Sequence, residues 1–397
     1  MRSQTIKDVV VLSAARSAIG TFGGSLSGME PADLGAEIMR ASIERSGVDP
    51  AKITYTTVGH VIPTEGRFAY TSRLASVNAG LSKETVAMDV NRLCSSGLQA
   101  VLSTSQQIML GEVEYGVGGG VEVMSRGVYM AASMRTGARM GDTNVMDSMT
   151  WTLTDPFGAG HMGMTAENLA EKNGISREEQ DELAAQSQQR ALNAIEEGKF
   201  SGQIVPITLK SRKGETVFDT DEHPRAGTTV EVLAKMRPAF KKDGTVTAGN
   251  SSGINDGAAF LVVGSAESAE RDGYQPIARL VSSAVAGVPN ELMGEGPIPA
   301  TRLALERAGL SLDDMDVIES NEAFAAQAIT VSRTLGLDPE KTNPNGGAIA
   351  LGHPIGCSGA FIATKALHEL HRVQGKYTLV TMCVGGGQGI AVIFERL

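Results

Sequence analysis

The sequence predicts an α/β fold built from two related halves. Strand-like and helical patterns alternate through roughly the first 120 and roughly the last 120 of the 397 residues. Such alternation favours helices that cover a mixed or parallel sheet. The two ends of the chain also carry matching turns at matching distances, which indicates that one half duplicates the other.

The predicted elements follow in order along the chain. In the first part the patterns predict a strand, a helix, a strand and a helix, at Asp8–Ser13, Ala32–Arg45, Tyr55–Ile62 and Ser95–Leu110. In the last part they predict strands at Ile277–Val285, Asp316–Glu319, Tyr377–Cys383 and Ile390–Phe394, with helices at Ala300–Ala308 and Ala323–Thr334.

The middle of the chain, residues 124–247, departs from this alternation. It holds a stretch rich in Met, Arg and Gly, a helical pattern over Ser176–Glu197 and a basic segment. Between Lys199 and Lys242 there are nine Lys and Arg residues against five Asp and Glu, in a chain of net charge −10. Two interpretations are open: a charged, solvated insertion, or a cap that receives phosphate groups.

The internal repeat consists of three matching features. They are Ser96-Gly97 and Ser358-Gly359, Tyr115 and Tyr377 eighteen residues after each glycine, and the triple glycines 118–120 and 385–387. We interpret both triple glycines as tight connections between strands. With the halves in register, Asn91 lies opposite His353 and Cys94 opposite Gly356. The repeat therefore predicts that two strand-to-helix turns face each other.

Composition restricts the partners and the compartment. The net charge of −10 argues against a nucleic-acid or anionic-membrane surface, and no apolar run reaches the roughly 20 residues of a membrane span. Three cysteines without a CxxC pair favour a reducing compartment, and the N-terminus lacks a secretory pattern, so we expect a cytoplasmic protein. His368 and His371 lack metal-site spacing, so we expect no metal.

Cys94 is the first candidate for chemistry. It follows a strand-like run and opens a helix whose first turn holds Ser95, Ser96 and Gly97. Unpaired N–H groups and the positive end of the helix dipole at that place favour a thiolate, and the small neighbours leave room for a substrate. The alternative is a buried structural cysteine, and the local context leaves both open.

His353 is the second candidate. It stands between Gly352 and Pro354 in a turn ahead of a helix, where it could act as a base for a nearby thiol. The alternative is an ordinary loop histidine. Cys357, where that helix begins, is predicted to be a packing residue.

Two further segments place reactive groups at strand ends. Cys383 ends an apolar strand and precedes Gly385–Gly387, whose N–H groups could form an oxyanion site. Asn321 follows another strand. It either holds a water molecule or a carbonyl oxygen, or caps the helix that comes next.

Together these segments resemble the active-site motifs of the thiolase family. The motifs are NRLCSSGLQA, NEAFAAQ, NGGAIALGHPIGCSGA and CVGGGQGIAVIFERL, in that order. The likeness extends through VVVLSAARSAIGTFGG, HMGMTAENLA, DEHPRAGTT, FKKDGTVTAGNSSGINDGAA and MGEGPIPA, and so runs the length of the chain. It points to bacterial biosynthetic or broad-specificity β-ketothiolases.

The resemblance implies the thiolase fold, with duplicated βαβ-type halves in five layers, α-β-α-β-α, and an inserted cap. On this basis residues 1–123 and 248–275 form the N-terminal half, and residues 276–397 form the C-terminal half. Residues 124–247 form the cap, which binds coenzyme A and contributes to oligomerisation. The implied assembly is a homotetramer, as a dimer of dimers.

The resemblance also implies a ping-pong reaction of fatty acid metabolism. An acyl group passes to Cys94 and then condenses with acetyl-CoA to a 3-ketoacyl-CoA, or thiolysis runs in reverse. His353 activates Cys94, and Cys383 moves the proton at the α-carbon. Asn321, through a water molecule, forms one oxyanion site with His353. The N–H groups of Cys94 and Gly385 form the other.

Coenzyme A contacts are implied at eight matching positions. They are Leu153, His161, Met162, Arg225, Ser252, Met293, Ala323 and Phe324. Arg225 lies inside the basic segment, which favours a cap that meets nucleotide phosphates. The expected partners are acetyl-CoA, acyl-CoA and coenzyme A, with no bound cofactor.

Three rival interpretations make different demands on the sequence. A decarboxylating ketoacyl synthase of the same fold would need a second histidine where Cys383 stands. A thiolase-like lipid or sterol carrier would lack Cys94, His353 or Cys383. A cysteine hydrolase would lack the second cysteine and the coenzyme A segments. All three residues are present, which favours the thiolase.

Overall fold

The structure is a computed structural model that describes residues 6–212 and 214–397. Its strands are β1 (Val9–Arg16), β2 (Gly20–Thr21), β3 (Ile53–Gly59), β4 (Val86–Val90), β5 (Tyr115–Val123), β6 (Tyr129–Met130), β7 (Met146–Asp147), β8 (Thr154–Asp155), β9 (Gly160–His161), β10 (Ile207–Ser211), β11 (Gly214–Phe218), β12 (Asn255–Ser265), β13 (Ala278–Gly287), β14 (Met315–Ser320), β15 (Tyr377–Val384) and β16 (Gln388–Arg396). Its α-helices are α1 (Pro31–Ser46), α2 (Thr71–Asn78), α3 (Ser96–Met109), α4 (Ser148–Thr152), α5 (Met162–Asn173), α6 (Arg177–Glu196), α7 (Val230–Leu233), α8 (Ala266–Asp272), α9 (Pro297–Ala308), α10 (Ala325–Leu335), α11 (Ala348–Leu351) and α12 (Ile355–Arg372).

The main sheet consists of two halves with the same pairing pattern. Its strand order is β14-β15-β16-β13-β1-β12-β5-β3-β4, with β2 beside β12. β1 and β13 join through only two residue pairs, Val10 with Arg279 and Val11 with Ala278. Outward from this junction, the order β1-β12-β5-β3 has two antiparallel pairings followed by one parallel pairing. The order β13-β16-β15-β14 repeats this pattern. The predicted duplication is confirmed.

Helices lie on both sides of each half of the sheet. α3 and α12 pack against each other, α3 on β3 and β5, and α12 on β5, β12, β14 and β15. α1 covers the other side of β1, β12 and β5, and α9 covers β13 and β16. The result is the layered α-β-α-β-α arrangement that the family resemblance implies, with the helix starts of α3 and α12 at its centre.

Most predicted elements match the structure to within a few residues. The predicted helix at Ser176–Glu197 is α6, and Ser176 forms a capping box with Glu179 at its start. The strand predicted at Tyr55–Ile62 ends earlier in the structure: β3 ends at Gly59, and the N–H groups of Val61 and Ile62 bond to the carboxyl group of Glu122. The strand-like run predicted ahead of Cys94 is β4, whereas β12 had no counterpart among the predicted elements.

The segment 124–247 stands apart from the main sheet. In its described part, the strands form three separate two-stranded ribbons, β6-β7, β8-β9 and β10-β11. A fully buried ion pair ties the segment to β1, with Arg16 Nη1 2.7 Å from Asp221 Oδ1. The Arg16 guanidinium also lies over the rings of Phe200 and Phe361. The domain boundaries proposed for this segment stay a prediction.

The two triple glycines have different roles. Gly385–Gly387 connects β15 to β16, as predicted, with positive φ angles of 77° and 88° at Gly386 and Gly387. The prediction that 118–120 is also a connection is wrong, because these residues lie inside β5. A Cβ atom at Gly120 would overlap the carbonyl oxygen of Gly356 at the start of α12. This run of glycine permits a helix to approach the strand closely.

None of the helices in the two described ranges is long and apolar enough to cross a membrane.

We expect Gly120→Ala to destabilise the protein by about 3 kcal/mol or more, because the added methyl group overlaps backbone atoms that cannot rotate away. A fall of several degrees in the melting temperature measures this effect. Gly28→Ala is the matched control, since a Cβ atom there meets no other atom within 4 Å. Equal melting temperatures for the two variants would contradict the role of Gly120.

Candidate active site

The turn that carries Cys94 lies between β4 and α3 and is held by hydrogen bonds of its own side chains. Leu93 has a φ of 45°, in the left-handed region that a branched residue rarely adopts. Asn91 Oδ1 accepts a hydrogen bond from the Leu93 N–H at 2.9 Å, and Ser96 Oγ donates to the Leu93 carbonyl at 2.7 Å. These contacts fix a partly exposed Cys94 just before the start of α3, as predicted.

An apolar shell that includes Val61, Ile62 and Ile355 surrounds Cys94. Burial raises the pKa of the Cys94 thiol, and this outweighs the hydrogen bonds to the sulfur from the N–H groups of Gly385 and of Cys94 itself. The N–H groups at the helix start favour the thiolate, as predicted, but desolvation is the larger effect and keeps the pKa of the resting thiol above its ordinary value. The thiol needs a base to become a nucleophile.

His353 lies in the turn between α11 and α12 and is buried. The backbone N–H of His353 donates to Oδ1 of Asn255 at 3.0 Å, and Asn255 begins β12, so this strand fixes the backbone of the turn. Burial lowers the pKa of His353 to about 4, which keeps the imidazole neutral near pH 7. A neutral imidazole can accept a proton, as the role of a base requires.

Ser358 determines which nitrogen of His353 is free. Its hydroxyl group lies 2.6 Å from Nδ1 and donates to the Pro354 carbonyl at 2.8 Å. Since a hydroxyl group has one proton, Ser358 accepts a hydrogen bond from Nδ1–H. Nε2 of His353 is then a bare acceptor, and it is buried without a partner among the described residues. The tautomer is the one that a base needs.

Cys383 lies at the end of β15, opposite Gly389 of β16. Burial raises the pKa of Cys383, and the charge of Cys94 raises it further, so the two thiols interact. The N–H of Gly385, two residues after Cys383, bonds to the Cys94 sulfur. One strand end therefore brings both a second thiol and a hydrogen-bond donor to Cys94.

The helix-cap alternative for Asn321 is wrong. The following helix, α10, begins at Ala325, and the residue at its N-cap is Phe324. The backbone N–H of Asn321 donates to the Thr381 carbonyl at 3.0 Å. Both polar atoms of its side chain are buried and have no partner in the described protein. Such an amide requires water or a ligand, in keeping with the first alternative.

Most of the predicted coenzyme A contacts lie beside the two thiols. Met162, Met293, Ala323 and Phe324 form one buried apolar cluster with Cys383. Three more contacts border this cluster or Cys94. Leu153 packs in the shell of Cys94, the His161 ring stacks on Phe240 at 4.9 Å, and the Ser252 N–H donates to the Ala323 carbonyl at 3.0 Å.

Arg225 lies apart from this group, on the segment that leads from β11 to α7. Its backbone N–H donates to Gln188 Oε1 of α6 at 2.9 Å. The residue is exposed, and no acidic side chain pairs with its guanidinium among the residues that the structure describes. An exposed, unpaired guanidinium is available for a phosphate group.

Sequence reasoning missed four residues that position these groups. Glu122, Phe240 and Asn255 bond or pack across long stretches of chain, and Ser358 bonds His353 five residues before it. Only Ser358 offered a signal, since it lies one turn after the Pro354 carbonyl that it bonds. Cys357 is fully buried in the main core, where packing was predicted.

Family models match nearly the whole chain. The thiolase N-terminal domain matches residues 9–267, and the thiolase C-terminal domain matches residues 274–396. The chain belongs to the thiolase family. It is an acyltransferase, and the reaction of its family is Claisen condensation of acyl thioesters together with the reverse thiolysis.

Relatives of this thiolase match it end to end. It is 55% identical to the beta-ketothiolase BktB of Cupriavidus necator and 50% identical to the acetyl-CoA acetyltransferase of Pseudomonas aeruginosa, in each case over 98% of this chain and 100% of the relative. Its structure is similar to that of the Bacillus anthracis acetyl-CoA acetyltransferase, with a TM-score of 0.97 and 47% identity over 100% of both chains. For human mitochondrial 3-ketoacyl-CoA thiolase in complex with CoA the TM-score is 0.96, at 43% identity over 99% of both chains.

We expect Ser358→Ala to slow alkylation of Cys94 by iodoacetamide roughly tenfold near pH 7, because His353 loses the contact that keeps Nε2 a bare acceptor. Peptide mass spectrometry measures the rate at Cys94. Ser105→Ala is the matched control, since Ser105 is also a buried helical serine that bonds the carbonyl group four residues earlier. An unchanged rate in Ser358→Ala would exclude this role for Ser358.

Proposed function

We propose that this thiolase forms an acyl thioester on Cys94 and condenses it with acetyl-CoA, or runs the reverse thiolysis. One observation carries the proposal: the chain just after Cys383 reaches the Cys94 turn, where the N–H of Gly385 bonds the Cys94 sulfur. A hydrolase or a carrier has no use for two thiols in one site. A condensing enzyme uses both thiols, because acyl transfer and proton transfer at carbon are separate steps.

In the first step the acyl group passes to Cys94. Nε2 of His353 takes the thiol proton, and the sulfur attacks the thioester carbonyl carbon of the substrate. The N–H groups of Cys94 and Gly385 stabilise the oxyanion that forms. As the carbonyl group is restored, the bond to the coenzyme A sulfur breaks, and that sulfur takes the proton from His353. The raised pKa of Cys94 makes this base essential.

In the second step a carbon–carbon bond forms. Nε2 of His353, bare again after the first step, takes the proton of the Cys383 thiol. The thiolate that forms takes a proton from the α-carbon of acetyl-CoA, and the enolate carbon attacks the acyl group on Cys94. Nε2–H of His353 and a water molecule held by Asn321 stabilise the enolate oxygen. As the tetrahedral centre collapses, the bond to the Cys94 sulfur breaks, and that sulfur takes the proton back from Nε2 of His353. Burial raises the pKa of Cys383, which makes its thiolate a stronger base toward a weakly acidic C–H bond.

The substrates that fit this site are acetyl-CoA, acyl-CoA and coenzyme A, with no separate cofactor. The apolar cluster of Met162, Met293, Ala323 and Phe324 offers a surface for the pantetheine arm. Arg225 and the other positive charges between Lys199 and Lys242 offer partners for the nucleotide phosphates. Fatty acid metabolism is the setting that we propose for such substrates.

A cytoplasmic location is part of the proposal. All three cysteines are free, and two of them must remain thiols for the reaction. A reducing compartment maintains this state.

We also propose that four copies assemble, as a dimer of dimers. β4 pairs only with β3 in the described sheet, so its other edge is unpaired, and Val86 on this strand is 58% exposed. Exposed apolar side chains gather in the segment after β5; they are Tyr129, Met134, Met140, Val145, Met146, Trp151 and Phe157. Each of these two apolar surfaces can be buried in a different interface between copies of the chain.

The reaction is tested with isotope-labelled acetyl-CoA. We expect Cys94→Ser to lose all acyl labelling, because the hydroxyl group is a far weaker nucleophile, whereas Cys383→Ser keeps labelling and loses condensation. Cys357→Ala is the control and should retain both reactions, since Cys357 packs in the core. Label retained by Cys94→Ser would refute the nucleophile, and equal loss of both steps in Cys383→Ser would refute the division of labour.

The assembly is tested by light scattering coupled to size-exclusion chromatography. We expect a mass of four 41.5 kDa chains and a lower mass for Met88→Lys, because a charge on the unpaired edge of β4 opposes its burial. Val217→Lys, at an exposed apolar position on β11, is the control and should leave the mass unchanged. A single-chain mass for the unaltered protein would contradict the proposal.

A further inference from the structure

Behind the Cys94 turn, two buried side chains that the proposed reaction does not use face each other. His60 follows β3, and Glu122 lies one residue before the end of β5. Their side chains are 2% and 0% exposed, and His60 Nε2 lies 3.3 Å from Glu122 Oε1. What this pair does depends on where its protons are.

The surroundings of His60 require a proton on Nδ1. This nitrogen lies 2.9 Å from the hydroxyl oxygen of Thr71, and that hydroxyl group donates its one proton to the Phe68 carbonyl at 2.7 Å. Because this proton is used on Phe68, the Thr71 oxygen acts as an acceptor toward Nδ1, so Nδ1 is a donor.

The opposite nitrogen then faces the carboxyl group as a second acceptor. A neutral imidazole with a proton on Nδ1 has a bare lone pair on Nε2, and an ionised carboxyl oxygen also has only lone pairs. Two such atoms repel each other at 3.3 Å in a buried site. We propose that His60 and Glu122 share one buried proton, and that this neutral pair positions the two reactive turns without placing a net charge beside Cys94.

The carboxyl group of Glu122 connects both turns. Its Oε2 accepts a hydrogen bond from the N–H of Gly356 at 2.8 Å, at the start of α12 just after His353. The N–H groups of Val61 and Ile62, which belong to the apolar shell of Cys94, donate to the same carboxyl group at 3.2 and 3.1 Å. Glu122 is thus a positioning residue that joins the His353 turn to the surroundings of Cys94.

The shared proton matters because a negative charge on Glu122 would oppose formation of the Cys94 thiolate. Negative charge on Glu122 raises the pKa of the Cys94 thiol and of the Cys357 thiol, and Asp256 is the acid that acts on Glu122 itself. Burial raises the pKa of Glu122 to about 8 and lowers the pKa of His60 to about 4.

Near pH 7 the proton therefore resides on the carboxyl group of Glu122 and is donated to Nε2 of His60. Above about pH 8 the carboxyl group loses this proton. The pair then becomes negative, and the Cys94 thiolate is harder to form.

The inference rests on the proposed role of Cys94, so its test measures the thiol itself rather than turnover. The rate of Cys94 alkylation by iodoacetamide is followed from pH 6 to 9.5 by peptide mass spectrometry, in the full-length protein. We expect His60→Gln to slow alkylation roughly tenfold at pH 7, because three backbone N–H donors and no imidazole now favour an ionised Glu122. The added change Glu122→Gln removes that charge and should restore the rate.

The control is His371→Gln, near the far end of α12, where the imidazole bonds the Ile277 carbonyl at 2.7 Å. It should alkylate like the unaltered protein. A His60→Gln variant that folds and alkylates at the normal rate would overturn the proposal. So would a double variant that stays as slow as His60→Gln, since the effect would then be structural rather than electrostatic.

A second measurement needs no variant to fold. Nitrogen-15 spectra of the unaltered protein, labelled at histidine, report the proton on each ring nitrogen of His60. We expect a protonated Nδ1 and an Nε2 that accepts a hydrogen bond, whereas a bare Nδ1 with a protonated Nε2 would overturn the proposal. Failure of acyl labelling at Cys94 would refute the proposed function and leave this result unaffected.

Discussion

The backbone contact between the starts of α3 and α12 is the constraint on which the site depends. A Cβ atom at Gly97 would lie 2.9 Å from the Cys357 carbonyl oxygen, and one at Gly120 would overlap the carbonyl oxygen of Gly356. Because no side chain fits there, the two helix starts meet at backbone distance. Each helix start follows a reactive turn, so this contact brings the turns of Cys94 and His353 together. The contact between α3 and α12 therefore places the reactive residues of both turns in one site.

Burial then determines the resting state of every reactive group. It raises the pKa of both Cys94 and Cys383 and lowers that of His353 to about 4. The site is therefore uncharged at rest, although the helix dipole and two N–H groups point at the Cys94 sulfur. These donors act when charge develops, because the apolar shell around the Cys94 sulfur makes each hydrogen bond to an anion stronger than it is in water.

The sequence predicted the features that are local or repeated, and missed those that are neither. Spacing alone located the Cys94 and His353 turns and the Gly385–Gly387 connection, since each is a turn next to a regular element. The contacts that Glu122 and Asn255 make with the His353 turn cross more than 90 residues of chain, and no local pattern reveals them. The glycines at 118–120 were misinterpreted for the same reason, because a close approach by a distant helix and a tight turn need the same residue type.

The duplication explains why two such different turns face each other, and the departures from symmetry explain the chemistry. When the halves are aligned on their serine–glycine pairs, Cys94 is equivalent to Gly356 and Cys383 to Val121. Glu122 then aligns with Val384, so the duplicated strand ends carry a carboxyl group in one half and a thiol one residue earlier in the other. Neighbouring residues of a strand point to opposite faces. The thiol of Cys383 near the end of β15 can therefore act on the substrate, while the carboxyl group of Glu122 near the end of β5 holds the two reactive turns in place.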